Sequence, residues 1–164
     1  MQPPVDTSSV PGRRSLRFNT PADALADAER LAAAHKAGSV TRLGNWSLGQ
    51  ALGHVAAWID YAYDGYPFTP PPEMAARARG FLPRVLEGGM TPGFKIASVE
   101  GGTAGILDMD SAIALSRLHR AWARLSASPP TAPAGHAFFG PMTHEQWIAL
   151  NLRHSELHQS FFIP

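Results

Sequence analysis

The sequence contains no cysteine among its 164 residues. Disulfide bonds, thiolate nucleophiles and cysteine-ligated zinc sites are therefore excluded. Any metal ion that this protein binds must be held by nitrogen and oxygen ligands.

Charge is also scarce. The chain has 14 Lys and Arg against 13 Asp and Glu, a net charge of +1, and a charged fraction of 16%, below the average of about 25% for globular domains. Such a balance gives no electrostatic basis for binding nucleic acid or an acidic membrane surface. No window approaches the roughly 18 apolar residues that a membrane span requires. We therefore expect a cytoplasmic protein with neither nucleic acid nor membrane as a partner.

The length of the chain suits one domain with a sizeable core. Residues 1–15 are rich in Pro, Ser and Thr and have no hydrophobic periodicity, so we expect a flexible leader there. Residues 16–164 are expected to form a single domain.

Four segments combine a helix-start signal with an apolar stripe. Thr20 before Pro21 is one such start, and the pairs Ser47/Gln50 and Thr143/Gln146 have the spacing of capping boxes. The predicted helices run from Pro21 to about Lys36, from the cap at Ser47 to near Asp64, from a cap at Asp110 or Ser111 to Pro129, and from the cap at Thr143 to about Phe161.

Between the second and third of these helices, residues 66–107 contain six prolines and seven glycines. This composition predicts a long crossover with room only for a short helix from about Glu73 to Arg79. No segment predicts a convincing strand. The expected fold is all-α, an antiparallel four-helix bundle with a long Pro/Gly-rich crossover between helices two and three.

Three of the histidines suggest a metal site. His154 and His158 are four residues apart, so a helix places them on one face, one turn from each other. His54 lies on the apolar stripe of the second helix and would complete a set of three imidazoles with open coordination positions. The alternative is that these histidines are only packed and hydrogen-bonded, as we expect for the four others: His35, His119, His136 and His144.

Other residues are candidates for the surroundings of this site. Gln50 and Trp58 lie one turn before and after His54, and Asn151 shares the face of His154, where it would orient a bound water. Arg42 and Trp46 are further pocket candidates.

No carboxylate is expected to act as a base at this site. Glu156 is two residues from each histidine of its helix and should project away from them. Ser155 occupies the position of the general-base Glu in the zinc-peptidase motif. The sequence identifies no catalytic residue beyond the candidate ligands.

Several segments resemble the DinB/YfiT-like proteins. Residues 45–54, NWSLGQALGH, are similar to the second-helix signature of that superfamily, and residues 154–159, HSELHQ, to its fourth-helix histidine motif. Residues 138–147, FFGPMTHEQW, resemble a branch catalogued as a domain of unknown function. The resemblance covers about Leu16 to Phe162.

The resemblance implies a four-helix bundle that binds a divalent ion, typically zinc or nickel, through one histidine of helix two and two of helix four. These positions correspond to His54, His154 and His158. Members of the superfamily include thiol-dependent S-transferases and a thiol-dependent isomerase. A low-molecular-weight thiol is therefore an implied cosubstrate, although no residue here identifies a particular thiol.

Three functions follow as hypotheses. The first is a metal-dependent enzyme that acts on a small molecule by thiol-dependent group transfer or by metal-assisted hydrolysis. The second is a non-catalytic metal-binding or ligand-binding bundle. The third is a structural helical module in which the histidines bind nothing. A homodimer is compatible with all three.

Overall fold

The helices dominate the structure, a computed structural model that describes residues 4–131 and 135–164. Within these ranges the chain forms five α-helices, a short 3₁₀ turn and two strands, which confirms the predicted helical class. Their bounds are α1 Pro21–Lys36, α2 Leu48–Asp64, α3 Pro72–Gly88, the 3₁₀ turn Glu100–Gly102, α4 Ser111–Ala127, α5 His144–Gln159, β1 Thr41–Arg42 and β2 Phe162–Ile163.

The predicted helix starts are confirmed by their capping contacts. The side-chain oxygens of Thr20, Ser47 and Thr143 each accept a hydrogen bond from a backbone N–H three residues later, and each belongs to a complete capping box. Asp110 accepts from the N–H of Ala112 at the start of α4. These bonds satisfy N–H groups that have no partner inside the helix, which explains why the starts are readable from sequence.

One apolar core is shared by α1, α2, α4 and α5. Leu31, Leu52 and Leu118 are fully buried in it, one each from α1, α2 and α4, and α5 contributes Leu152 at 4% exposure. The most extensive packing is between α2 and α4. None of the helices described is both long and apolar enough to cross a membrane.

Two glycines let the segment before α4 approach α2 closely. A Cβ at Gly49 would lie 1.9 Å from the carbonyl oxygen of Met109, and one at Gly53 would lie 2.9 Å from its sulfur. The backbone oxygen has no free rotation by which to move aside. Gly49 therefore fixes how the crossover returns to the core.

Gly49→Ala should destabilise the protein by about 1–3 kcal/mol, because the added methyl overpacks against backbone. The matched control is Gly80→Ala in α3, where nothing lies within 4 Å of the added Cβ. Removing a helical glycine there should stabilise by about 0.5–1 kcal/mol. Urea unfolding measures both, and equal effects of the two substitutions would contradict the close approach at Met109.

The crossover contains more helix than the sequence predicts. The short helix expected over residues 73–79 is instead the 17-residue α3, which continues through Pro83. Pro83 is exposed, so water can solvate the carbonyl that loses its helical partner, and the proline costs less than it would inside a core. Leu82 is the residue of α3 that is buried, and this contact ties the helix to the domain.

The C-terminus also differs from the prediction. The last helix ends at Gln159 rather than near Phe161, and β2 follows. Thr41 pairs with Ile163 and Arg42 with Phe162 in a two-residue antiparallel ladder. The expectation of no strand was wrong, because two residues are too few to show the alternation by which strands are recognised.

The end of the expected leader contacts this C-terminal turn. The Arg14 guanidinium donates to both carboxylate oxygens of Asp27 and to the carbonyl of Gln159. Arg13 donates to the Ser160 hydroxyl and lies 4.4 Å over the Phe161 ring. These contacts hold residues 13–14 against α1 and the end of α5.

Candidate metal centre

The packing of α2 against α5 brings the three predicted histidines together. His54, His154 and His158 each offer a ring nitrogen, and these nitrogens lie within 4.8 Å of one another. The ring centroids are 5.0 Å apart for His54 and His154 and 4.7 Å apart for each of the other two pairs. The convergence follows from the helix faces, since His54 points from the core side of α2 toward a face of α5 that carries both other rings.

Burial keeps these imidazoles neutral. His54 is 2% exposed and His154 is 8% exposed. Burial lowers the pKa of His54 well below its usual value, and His154 adds to this shift, with a smaller opposing effect from the Ala104 carbonyl. Burial likewise lowers the pKa of His158 strongly and that of His154 to about 4. A neutral imidazole is the form that binds a metal ion.

The polar atoms of the cluster fit a shared cation. His54 Nδ1 is buried and makes no hydrogen bond of normal geometry to a described residue, although the Ala104 carbonyl, which accepts from the Trp58 indole, is near enough to affect the His54 pKa. The Nε2 atoms of His154 and His158 are 3.0 Å apart, and two ligands on one zinc ion lie roughly 3 Å from each other. Without an ion one of these nitrogens must donate a proton to the other. Three imidazole nitrogens suit zinc, nickel or another borderline transition metal.

Two tryptophans hold the histidine rings in place. The Trp46 indole stacks on His158 with centroids 4.9 Å apart and planes 11° apart, and it also contacts His54 at 4.8 Å. Trp58 contacts His54 and His154, each at 5.9 Å. Its Nε1–H donates to the Ala104 carbonyl at 3.1 Å, which fixes the indole against the crossover. Both tryptophans also shield the cluster from water.

A cavity of about 660 Å³ opens beside the three histidines. Its wall is formed by α2, α3, α5 and the crossover segment 90–103, and most of the wall is apolar. Among the described residues that line it there is no Asp or Glu, and Lys95 is the one Lys or Arg. A volume of this size is typical of sites for drug-sized small molecules.

Of the other predicted pocket residues, Trp58 and Asn151 line the cavity, whereas Gln50 and Arg42 do not. The Asn151 amide nitrogen already donates to the Trp147 carbonyl at 2.9 Å. Gln50 is used in the capping box with Ser47 and is absent from the lining. Arg42 is exposed on β1, opposite Phe162, and is also absent from the lining.

Glu156 is engaged on another side of α5. Its Oε1 accepts from the backbone N–H of Phe18 and from Arg153. Burial raises the pKa of this carboxyl. It is absent from the lining of the cavity that contains the histidines.

His136 is a cavity residue that the sequence did not indicate. It is 8% exposed, and its ring packs against Trp58 and Trp147 with centroids 6.1 and 5.5 Å apart. Burial, with a contribution from His154, lowers its pKa to about 3. It lies in a connection with no periodicity and no ligand spacing, and its neighbours Phe138 and Phe139 were the one available hint of a buried loop.

Comparisons with known proteins give a family but no function. A family model described as "Protein of unknown function (DUF1569)" matches residues 11–164. No curated protein matches the chain, and neither does any solved structure. A functional assignment therefore depends on the geometry of the cavity and its histidines.

Proposed function

The chain belongs to the DUF1569 family, and we propose that it is a divalent-metal-dependent enzyme acting on a small molecule. His54, His154 and His158 are the ligands in this proposal. The observation that carries it is the convergence of three neutral imidazoles at the wall of a large apolar cavity. A cluster that served only for packing would not need an open cavity beside it.

The proposal includes a finer description of the fold. We assign α1, α2, α4 and α5 to an antiparallel four-helix bundle of the DinB-like kind, with α3 as part of the crossover. Support comes from the core that these four helices share and from the histidines on facing helices, which is how bundles build metal sites.

Zinc or nickel would supply Lewis acidity here and would favour the thiolate form of a thiol or the ionised form of water. The chain itself provides three neutral nitrogen donors and two indoles that hold their rings and exclude water. All three histidines line the cavity, so a substrate in the cavity would reach the ion from that side.

The reaction we propose is group transfer to or from a low-molecular-weight thiol. Metal-assisted hydrolysis is the alternative reaction. The chain has no cysteine, so a thiol nucleophile must come from a cosubstrate. The described lining offers no carboxylate base, and Glu156 is occupied by Arg153 and the Phe18 N–H. A thiol that ionises on the metal would need no such base.

Untagged protein should contain close to one zinc or nickel ion per chain by elemental analysis. The metal-loaded protein should then consume a thiol such as glutathione in the presence of an electrophile such as chlorodinitrobenzene, and His154→Ala should not. Metal without turnover across a panel of thiols, electrophiles and esters would favour the non-catalytic binding bundle. Absence of metal at neutral pH, even after zinc or nickel is added, would refute the proposal.

A further inference from the structure

Three aromatic side chains, Trp58, Phe138 and Phe94, form a row that leads from the histidine cluster toward the surface, called the aromatic file below. Trp58, which contacts His54 and His154, stacks on Phe138 with planes 15° apart and centroids 6.4 Å apart. Phe138 in turn meets Phe94 edge to face at 5.9 Å. Phe138 is 5% exposed and Phe94 is 65% exposed, so the file runs from the interior to the mouth of the cavity. Such a wall favours flat, aromatic ligands.

The charges around the cavity select against cations. Its described lining contains no Asp or Glu, and Lys95 carries a positive charge at the exposed end. A ligand ammonium group would lose its hydration without gaining an opposite charge, which is costly in an apolar site. An anionic group buried at the inner end would also lose its hydration, since Lys95 is exposed and lies at the other end. An uncharged ligand avoids both costs.

His136 supplies a hydrogen-bond donor beside the aromatic file. Its Nδ1 accepts from the backbone N–H groups of Phe138 and Phe139, at 3.1 and 3.4 Å. Because Nδ1 is an acceptor, the proton of the neutral ring is on Nε2. Both hydrogen bonds that the described residues make to this ring are at Nδ1, and the ring lines the cavity. The Nε2–H group is therefore available to a ligand.

The position of this donor relates it to the metal centre. One indole, that of Trp58, contacts both His136 and His154, at 6.1 and 5.9 Å. A ligand that lies along the aromatic file would thus have His136 and the three histidines at the same inner end. A neutral, oriented imidazole can polarise a carbonyl oxygen by donating to it.

We propose that the substrate is an uncharged aromatic molecule, with its rings along Trp58, Phe138 and Phe94 and a carbonyl oxygen bound by the Nε2–H of His136. This inference rests on the proposed function in taking the cavity as the substrate site. It assigns His136 a positioning role, and it holds for binding whether or not metal is present.

Three naphthalenes of similar size separate the contributions of the hydrogen bond and of ligand charge to binding. They are 2-acetylnaphthalene, 2-ethylnaphthalene and 2-(aminomethyl)naphthalene. Binding is measured by calorimetry on the chelated protein, so that a failure of metal binding does not affect the result. The acetyl compound should bind about five- to tenfold tighter than the ethyl compound, the value of one hydrogen bond. The ammonium compound should bind weakest. Equal affinities for the acetyl and ethyl compounds, or a preference for the ammonium, would overturn the proposal.

Two substitutions of His136 test the donor itself. His136→Asn keeps an acceptor for the Phe138 N–H but removes the donor at Nε2, so it should abolish the preference for the acetyl over the ethyl compound. His136→Gln can place an N–H near the position of Nε2 and should restore part of that preference. A purely structural role would weaken both ligands equally, which would count against the assignment, and circular dichroism checks that each variant is folded.

The aromatic file is tested at its exposed end. Phe94→Ala should weaken the binding of the acetyl and ethyl compounds by the same factor, because it removes a ring contact and leaves His136 intact. Ile113→Ala is the matched control, since Ile113 is 62% exposed and lies outside the cavity lining. Unchanged binding of both ligands in Phe94→Ala would contradict the proposed orientation.

Discussion

Replacing either His154 or His158 by alanine should abolish stoichiometric metal binding. Each substitution removes one of three nitrogen ligands. The loss of affinity should exceed the roughly 100-fold drop that follows removal of a residue that only hydrogen-bonds to a ligand. Metal content of untagged protein and titration with zinc or nickel measure the effect. In the parent protein, free ion at about 100 times its dissociation constant should add about 2.7 kcal/mol of stability, and this increment should be absent from both variants.

His119→Ala provides the control for these variants. His119 is on the exposed side of α4, and its Nε2 lies 3.0 Å from the Glu29 carboxylate. It is not part of the histidine cluster. His144→Ala should also keep its metal, although it loses the contact between His144 Nε2 and the Leu125 carbonyl at 2.6 Å. Parent-like metal content in His158→Ala would remove His158 from the ligand set.

The helix starts and the common face of His154 and His158 were predictable because both depend on local rules. Capping at Thr20, Ser47 and Thr143 fixes where helices begin, and the spacing of His154 and His158 fixes their common face. The place of His54 required only that α2 bury its apolar stripe. The caps and the common face of His154 and His158 depend on residues within one or two helical turns, whereas the approach of His54 to them depends on the packing of α2 against α5.

The features that the sequence did not predict leave no periodic pattern in it. The continuation of α3 through Pro83 depends on the solvent around that proline. The pairing of Arg14 with Asp27 depends on where α1 and α5 meet. The place of His136 depends on a loop with no periodicity, held by a backbone bridge between His136 and Gly140.

Metal-free protein should lose stability steadily as the pH falls from 6.5 to about 5. The cause is four buried imidazoles, those of His54, His136, His154 and His158, whose pKa values are all lowered by burial. In the unfolded chain each has a pKa near 6.5. The unfolded state therefore binds more protons than the folded state in this range, and stability falls as the pH falls.

The expected size of this loss is large. Each imidazole that stays neutral in the folded state costs a little over about 1 kcal/mol at pH 5.5 relative to neutral pH, so four together approach about 5 kcal/mol. Domains of this size are stable by 5–15 kcal/mol. Guanidinium unfolding of chelated protein at a series of pH values measures the loss.

Two buried carboxyl groups also affect the acid stability: Glu156 offsets part of the loss, as one group against four imidazoles, and Asp27 acts at lower pH. The raised pKa of buried Glu156 acts in the opposite direction, because the folded state then takes up its proton first. The pKa of Asp27 is lowered: burial acts to raise it, and the bonds from Arg14 and Arg30 together outweigh that effect. The stability that Asp27 contributes is therefore lost only below the unfolded-state value of about 3.9, outside the range of the histidines.

Bound metal should shift the acid transition to lower pH, since the ion stabilises the folded state and competes with protons for three of the four rings. His136→Asn removes the fourth ring, which is not a ligand, and should reduce the loss between neutral pH and pH 5.5 by about one quarter, the share of one group among four. Ile113→Ala removes an exposed side chain that does not titrate and should leave that loss unchanged. A flat stability profile from pH 7 to pH 5 in chelated protein would mean that the cluster takes up protons while folded, and the neutral ligand set would then have to be abandoned.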